Sequence, residues 1–283
     1  MPPAGIWIDG LIQSCAYMTM AFGMVLVFSI LGILNWTHGQ FYMLGAFVVY
    51  YAITAAGIPF PLSLLVAGVL VAGLGMLVKK VIIDQITGVL YVGAATMGLI
   101  FLFEGAASMI FGMQDKGLAM VLPGVLNLGS FSVSYQKIAV VSFTLVIMII
   151  LYIMLNFTKI GLAIRATSQQ PDAAALYGVS VERLSLIVMG IGCGLAALAG
   201  GIIAPLYTIS PFIGGIPMLM SLLAIVIGGI GSLTGAIVGG LILGFINCVV
   251  AYHLSYFSEV VLFVLVIIIL LVRPQGLFGA SLK

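Results

Sequence analysis

FTKIGLAIRATSQQPDAAALYGVSVER, residues 157–183, is the one long stretch of this chain that could not lie in lipid. It holds Lys159, Arg165, Ser168, Gln169, Gln170, Asp172, Glu182 and Arg183, more polar chemistry than any other window of its length. On either side the sequence reads as apolar runs of about 20 residues, the length a helix needs to cross a bilayer core. A chain built this way predicts an all-α, polytopic membrane bundle that keeps one sizeable soluble loop. Such a loop predicts contact with a soluble partner on one side of the membrane.

Composition points the same way. Hydrophobic residues make up 64% and charged residues 6%, where a soluble domain has about a quarter charged. Glycine accounts for 36 of the 283 residues, a level that suits helices packed closely in lipid. The net charge of +2 gives no basis for a nucleic-acid partner; lipid is the expected surrounding. The first ten residues carry no Lys or Arg, so a cleaved signal peptide is not expected. Cys15, Cys193 and Cys248 lie in or at the ends of apolar runs without metal-ligand spacing, and they read as small core residues.

Apolar runs and their breaks predict helices near 11–34, 40–56, 60–78, 90–112, 137–157, 184–205, 216–230, 233–252 and 257–272, eight or nine spans in a single domain over 1–283. The run at 216–230 is short, so 216–252 also reads as a re-entrant hairpin plus a span. Orientation follows the Lys/Arg bias of the loops. With the amino terminus outside, loops 79–89, 158–183 and 273–283 become cytoplasmic. They hold Lys79, Lys80, Lys159, Arg165, Arg183, Arg273 and Lys283, seven of the nine basic residues, and leave Lys116 and Lys137 outside. The loop at about 113–136 then faces out, and its alternation from Val125 to Val133 after Pro123-Gly124 predicts an extended or hairpin element.

Small residues at helical spacing predict helix contacts: Ala94, Gly98, Gly105, Ser108 and Gly112 in one span, Gly190, Gly194, Ala197 and Gly201 in another, and Gly231, Gly235 and Gly239 beside Gly240 and Gly244 in a third. Two interruptions are more specific. Asn35, Thr37, His38, Gly39 and Gln40 stand between two apolar runs with about five residues of gap, and Gly228 to Gly235, with Gly229, Gly231 and Ser232, repeats the pattern late in the chain. Non-helical backbone at membrane depth is tolerated only where it is buried in protein or lines a cavity, and broken helices point to a transport path. A tight turn at the membrane surface is the plainer alternative. The loop count puts both breaks near the cytoplasmic side. A left-handed residue at Gly39 is the feature that would make a Val there severe.

Glu104 lies about eight residues, roughly 12 Å, from the outer end of its span. A hydrogen bond across a helix contact and a place on the path are both open to it. Asn247 is expected to bond a neighbouring helix. Within the polar loop, Ser168 to Gly178 has the grammar of one short helix. Pro171 suits its first position, Asp172 complements the positive end, Ala174 and its neighbours propagate it, and Gly178 ends it. Small residues would let it seat in a partner's groove. Phosphate-loop, zinc-protease and nucleophile-elbow motifs are missing from the sequence, so the chain is not expected to be an enzyme, and any ATP must act through a contact.

The stretch Asn35-Trp36-Thr37-His38-Gly39-Gln40-Phe41-Tyr42-Met43-Leu44-Gly45-Ala46 resembles the signature of branched-chain amino acid ABC permeases, with Trp36 and Thr37 in place of the commoner Phe and Ala. Thr158–Ala166 with Ala173–Val179, Gly228–Gly240 and Val272–Gly279 agree with the same family in the expected order. The resemblance implies a permease subunit of the bacterial inner membrane, paired with a second related permease, two cytoplasmic ATPases that bind ATP and magnesium, and a periplasmic solute-binding protein. It implies import of branched-chain or other small hydrophobic amino acids, with amides, urea or aromatic carboxylates as relatives' substrates. It makes Arg165, Ser168, Pro171, Asp172, Ala174, Leu176 and Gly178 the ATPase-coupling set. Asn35, Thr37, His38, Gly39, Gln40, Glu104, Gly229, Gly231 and Ser232 become candidates for the path or its breaks. An ion-gradient-driven transporter or channel, or a membrane scaffold, are the readings from other classes.

Overall fold

The computed structural model describes residues 4–119, 121–127, 132–254 and 257–279; residues 128–131 of the outer loop and Lys283 fall outside the described residues. Its helices are α1 (Ala4–Leu31), α2 (His38–Thr54), α3 (Phe60–Val81), α4 (Val89–Phe111), α5 (Tyr135–Phe157), α6 (Lys159–Gln169), α7 (Pro171–Leu176), α8 (Val181–Ile203), α9 (Gly215–Gly228), α10 (Leu233–His253) and α11 (Ser258–Val272). Six of them, α1, α3, α4, α5, α8 and α10, are long and apolar enough to cross a membrane. The 14 residues of α9 reach only about 21 Å at 1.5 Å per residue, short of the roughly 30 Å of a bilayer core. It is a half-length helix, as its short apolar run suggests.

α1 begins well before the expected residue 11. Asp9 does not break it, because its carboxylate pairs with the Lys137 ammonium at 2.5 Å where α1 and α5 start side by side. The helix ends at Gly32, whose φ of 66° leaves the helical region.

α8 is the central helix, packed against α1, α2 and α3. Two of its glycines lie on neighbouring backbones: a Cβ at Gly194 would meet the Gly68 carbonyl at 3.2 Å, and one at Gly200 would collide with the Tyr42 carbonyl. The glycines of α10 serve two partners, Gly235 and Gly239 against α9, Gly240 and Gly244 against α1. Polar bonds reinforce the second seam, for Ser14 Oγ donates to the Leu241 carbonyl at 2.8 Å and Asn247 Nδ2 to the Tyr17 hydroxyl at 2.9 Å.

The small-residue stripe of α4 does not behave as expected. Ala94, Gly98 and Gly105 are exposed, and Gly98 and Gly105 have nothing near a built Cβ. α4 leans on the bundle with its other face, Val92, Thr96, Leu99 and Ala107, and no helix among the described residues stands behind the stripe. In the outer loop, β1 (Val125–Asn127) and β2 (Ser132–Ser134) form an antiparallel ribbon with Val125 opposite Ser134, the hairpin its alternation predicts.

Candidate functional site

The first helix break is an ordered, buried turn. Asn35 Oδ1 accepts from the Thr37 amide at 3.1 Å, closing a local turn of the kind asparagine makes. Thr37 Oγ1 donates to the Thr96 carbonyl of α4 at 2.9 Å, and Asn35 Nδ2 reaches the Met189 sulfur of α8. Thr96 is the eighth residue of α4 and Met189 the ninth of α8, helices whose starts line one cleft. The turn therefore sits about 12 Å in from that end at 1.5 Å per residue, and not at the surface. His38 is fully buried, and its ring nitrogens have no hydrogen-bond partner among the described residues.

Gly39 is helical, the second residue of α2, and its φ is not positive. The left-handed residue of this break is Gly32. What fixes Gly39 is proximity: a Cβ there would stand 2.5 Å from the Gly214 carbonyl and 2.9 Å from Met218 Cβ. Gly214 caps the start of α9, so the first turns of two helices meet backbone to backbone inside the protein.

Where they meet there is a cavity of about 420 Å³, open to the surface past Phe212 and Ile216 and lined by Trp36, Gly39, Gln40, Gly214 and Gly215, with Ile100, Glu104, Met218 and Leu219 completing its walls. Gln40 Nε2 donates to Glu104 Oε1 at 3.0 Å, joining α2 to α4. Gln40 is only 3% exposed, and its Oε1 has no partner. The cavity thus has apolar walls, two polar side chains and the positive ends of two helix dipoles.

The second break lies elsewhere. α9 runs from Gly215 beside Gly39 to Gly228, so the two breaks stand at opposite ends of it, about 20 Å apart. The two breaks thus lie at different depths, whereas the loop count puts both near the cytoplasmic side. Gly229 and Gly231 take φ of 102° and 85°, and Ser232 Oγ caps α10 by accepting from the Gly235 amide at 3.0 Å. The carboxy-terminal segment seals this break: the Leu277 and Phe278 amides donate to the Ile227 and Gly228 carbonyls at 2.8 and 2.9 Å. None of Gly229, Gly231 and Ser232 lines the cavity.

The polar loop forms two helices instead of one. Pro171 opens α7 with Asp172 in its first turn, but its ring keeps Gln170 extended at φ −149°, ψ 97°. Ser168 and Arg165 therefore belong to α6, where Ser168 Oγ donates to the Arg165 carbonyl and Arg165 Nη1 to Asn156 Oδ1. Gly178 ends the α7 turn at φ 88°. Ala174 packs inward, so it seats α7 on its own protein. Leu176 and Tyr177 point away, 89% and 91% exposed, beside a groove of about 820 Å³ between α6 and α7.

Sequence reasoning missed the second wall of the cavity, Phe212, Gly214, Gly215 and Met218. The signal was present: Ser210-Pro211-Phe212-Ile213-Gly214-Gly215-Ile216-Pro217 is a third Gly/Pro interruption between apolar runs.

A bundle in which two broken helices turn their first residues onto one cavity is an arrangement that membrane transporters use. The family described as the permease component of the branched-chain amino acid transport system matches residues 6–272. The chain is 30% identical to the high-affinity branched-chain amino acid transport system permease protein LivH of Salmonella typhimurium, over 96% of this chain and 94% of that one. It is 28% identical, with the same coverage, to the permease BraD of Pseudomonas aeruginosa. The chain belongs to this family of permease components. A solved structure described as PsaBC from Streptococcus pneumoniae in complex with Fab shares its fold, with a TM-score of 0.50 at 14% identity over 93% of this chain and 89% of that one.

Proposed function

We propose that this chain is the translocation subunit of an ATP-driven importer of branched-chain or other small hydrophobic amino acids in a bacterial inner membrane. The cavity between α2, α4 and α9 is a point on its path. The observation that carries the ATP-driven part is the α6–α7 pair. It is the polar, outward-facing segment of an otherwise apolar molecule, with two large side chains held out by a proline-started, glycine-ended helix.

In this reading Leu176 and Tyr177 dock into a cytoplasmic ATPase, one of two, each carrying its own ATP and magnesium. Arg165, Ser168, Pro171, Asp172, Ala174 and Gly178 hold the α6–α7 unit in shape. A second permease and a periplasmic solute-binding protein complete the assembly. The Lys/Arg bias places the amino terminus and the β1–β2 ribbon outside and the carboxy terminus in the cytoplasm. The Asp9–Lys137 pair and the bridge of Lys116 to Ile209 gather the loops assigned to the outside at one end, as either orientation of the bundle requires.

Leu176→Glu tests the reading. The side chain is exposed, so the variant is expected to insert and fold as the wild type does. Uptake of radiolabelled leucine by the assembled transporter is expected to fall at least about tenfold, the penalty of burying an unpaired charge in an interface. Cysteine cross-linking from position 176 to the ATPase reports the contact directly. Unchanged uptake together with no cross-link would exclude this docking.

A further inference from the structure

We infer that the cavity between α2, α4 and α9 recognises the primary ammonium group of the travelling solute, through Gln40 Oε1 and the Glu104 carboxylate; this deepens the proposed function and rests on the cavity being a point on the path. Three observations converge on it. Gln40 spends its amide nitrogen on Glu104 at 3.0 Å, which turns its oxygen away as a buried acceptor with no donor. A buried acceptor without a partner is costly; the oxygen is shut off from water, and the residue that carries it lines the cavity.

Glu104 supplies acceptors beside it. The first turns of α2 and α9 line the same space, and these positive helix ends favour a negative charge next to them. Neither of the two described ion pairs, Lys79–Asp84 and Lys137–Asp9, involves it. The side-chain part of the polar end, Gln40 and Glu104, thus offers acceptors matched to a group that only donates. A primary ammonium has three such donors. The rest of the wall, with Ile100, Met218 and Leu219 facing Trp36 and Phe212, suits a branched aliphatic tail. About 420 Å³ falls within the range of small-molecule sites.

Saturation-transfer NMR on the full chain in lipid nanodiscs, with empty nanodiscs as reference, tests this with three probes: leucine, 3-methylbutylamine and 4-methylpentanoate. Leucine and the amine are expected to bind, and the acid, which lacks the ammonium, is not. Glu104→Gln keeps an acceptor for Gln40 Nε2, so a merely structural role predicts no change in binding. The inference predicts about tenfold weaker binding of the amine, the scale of a lost charge-assisted hydrogen bond, at unchanged thermal stability. The exchange Gln40→Glu with Glu104→Gln returns a carboxylate to the wall and is expected to restore binding. Equal binding of acid and amine, wild-type affinity in Glu104→Gln, or a loss that the exchange leaves unrepaired would overturn the inference. The measurement needs neither ATP nor partners, so a failure of ATP-driven uptake would count against the proposed function and leave this result standing.

Discussion

Gly39→Val is expected to leave little folded protein in the membrane. The substitution puts a branched side chain between the first turns of α2 and α9, where even one carbon would stand 2.5 Å from the Gly214 carbonyl. Relief is blocked on both sides, because Gly214 has the reciprocal contact with the Gly39 backbone. Thr37, two residues away, is tied to α4 through the Thr96 carbonyl. Overpacking costs about 1–3 kcal/mol when flexible side chains can move aside; here the obstacle is backbone, so the upper end or beyond is expected. The chain's yield as a monodisperse peak in detergent, and its melting temperature, measure the effect. Gly39→Asn separates this cause from a backbone one. Asparagine tolerates the left-handed region, so it would rescue a turn that needs positive φ, and it is expected to fail at a site limited by space. At Gly32, with φ 66° and nothing near a built Cβ, the order reverses: Gly32→Asn is expected to be mild. Normal assembly of Gly39→Val would show that the two helix starts do not pack as described.

Gly39 also marks the limit of what the sequence could tell. The pattern of apolar runs locates nearly every span to within three residues, because lipid enforces length and composition on each one separately. Pro171, Asp172 and Gly178 likewise announce α7 through local rules about helix ends. That Gly39 is a contact and Gly32 the left-handed residue depends on Gly214, far along the chain. Nothing local to residues 32–40 distinguishes them. The early start of α1 was hidden for a similar reason, since the partner of Asp9 in its first turns, Lys137, comes from a helix far along the chain. The stripe on α4 shows the opposite failure: Gly98 and Gly105 have the spacing of a helix contact and, among the described residues, no helix to receive them. The cavity was half legible. Gln40 and Glu104 were singled out by polarity in apolar surroundings, but their pairing and the Phe212–Gly215 wall required the fold.

Gly215 offers the cleanest way to close that cavity. It is the first residue of α9, its φ is not positive, and a built Cβ meets nothing within 4 Å. A side chain there therefore strains no backbone and its Cβ displaces no neighbour, and leaving glycine removes an entropic cost at a helix end. The side chain would project into the space of about 420 Å³ between Trp36 and Leu219. In the series Gly215→Ala, Gly215→Leu, Gly215→Trp, stability is expected to stay level or rise slightly. Uptake is expected to fall in order of size, with Ala mild and Trp abolishing it, because the added side chain takes up the space the solute would need. The ATPase rate of the assembled transporter, measured in parallel, is expected to persist, because α6 and α7 are untouched. This combination of a stable chain, continuing ATP hydrolysis and blocked leucine is the mark of an obstructed path, which neither a damaged fold nor a lost partner would produce. Wild-type uptake in Gly215→Trp, in a chain that folds normally, would place the path somewhere other than this cavity.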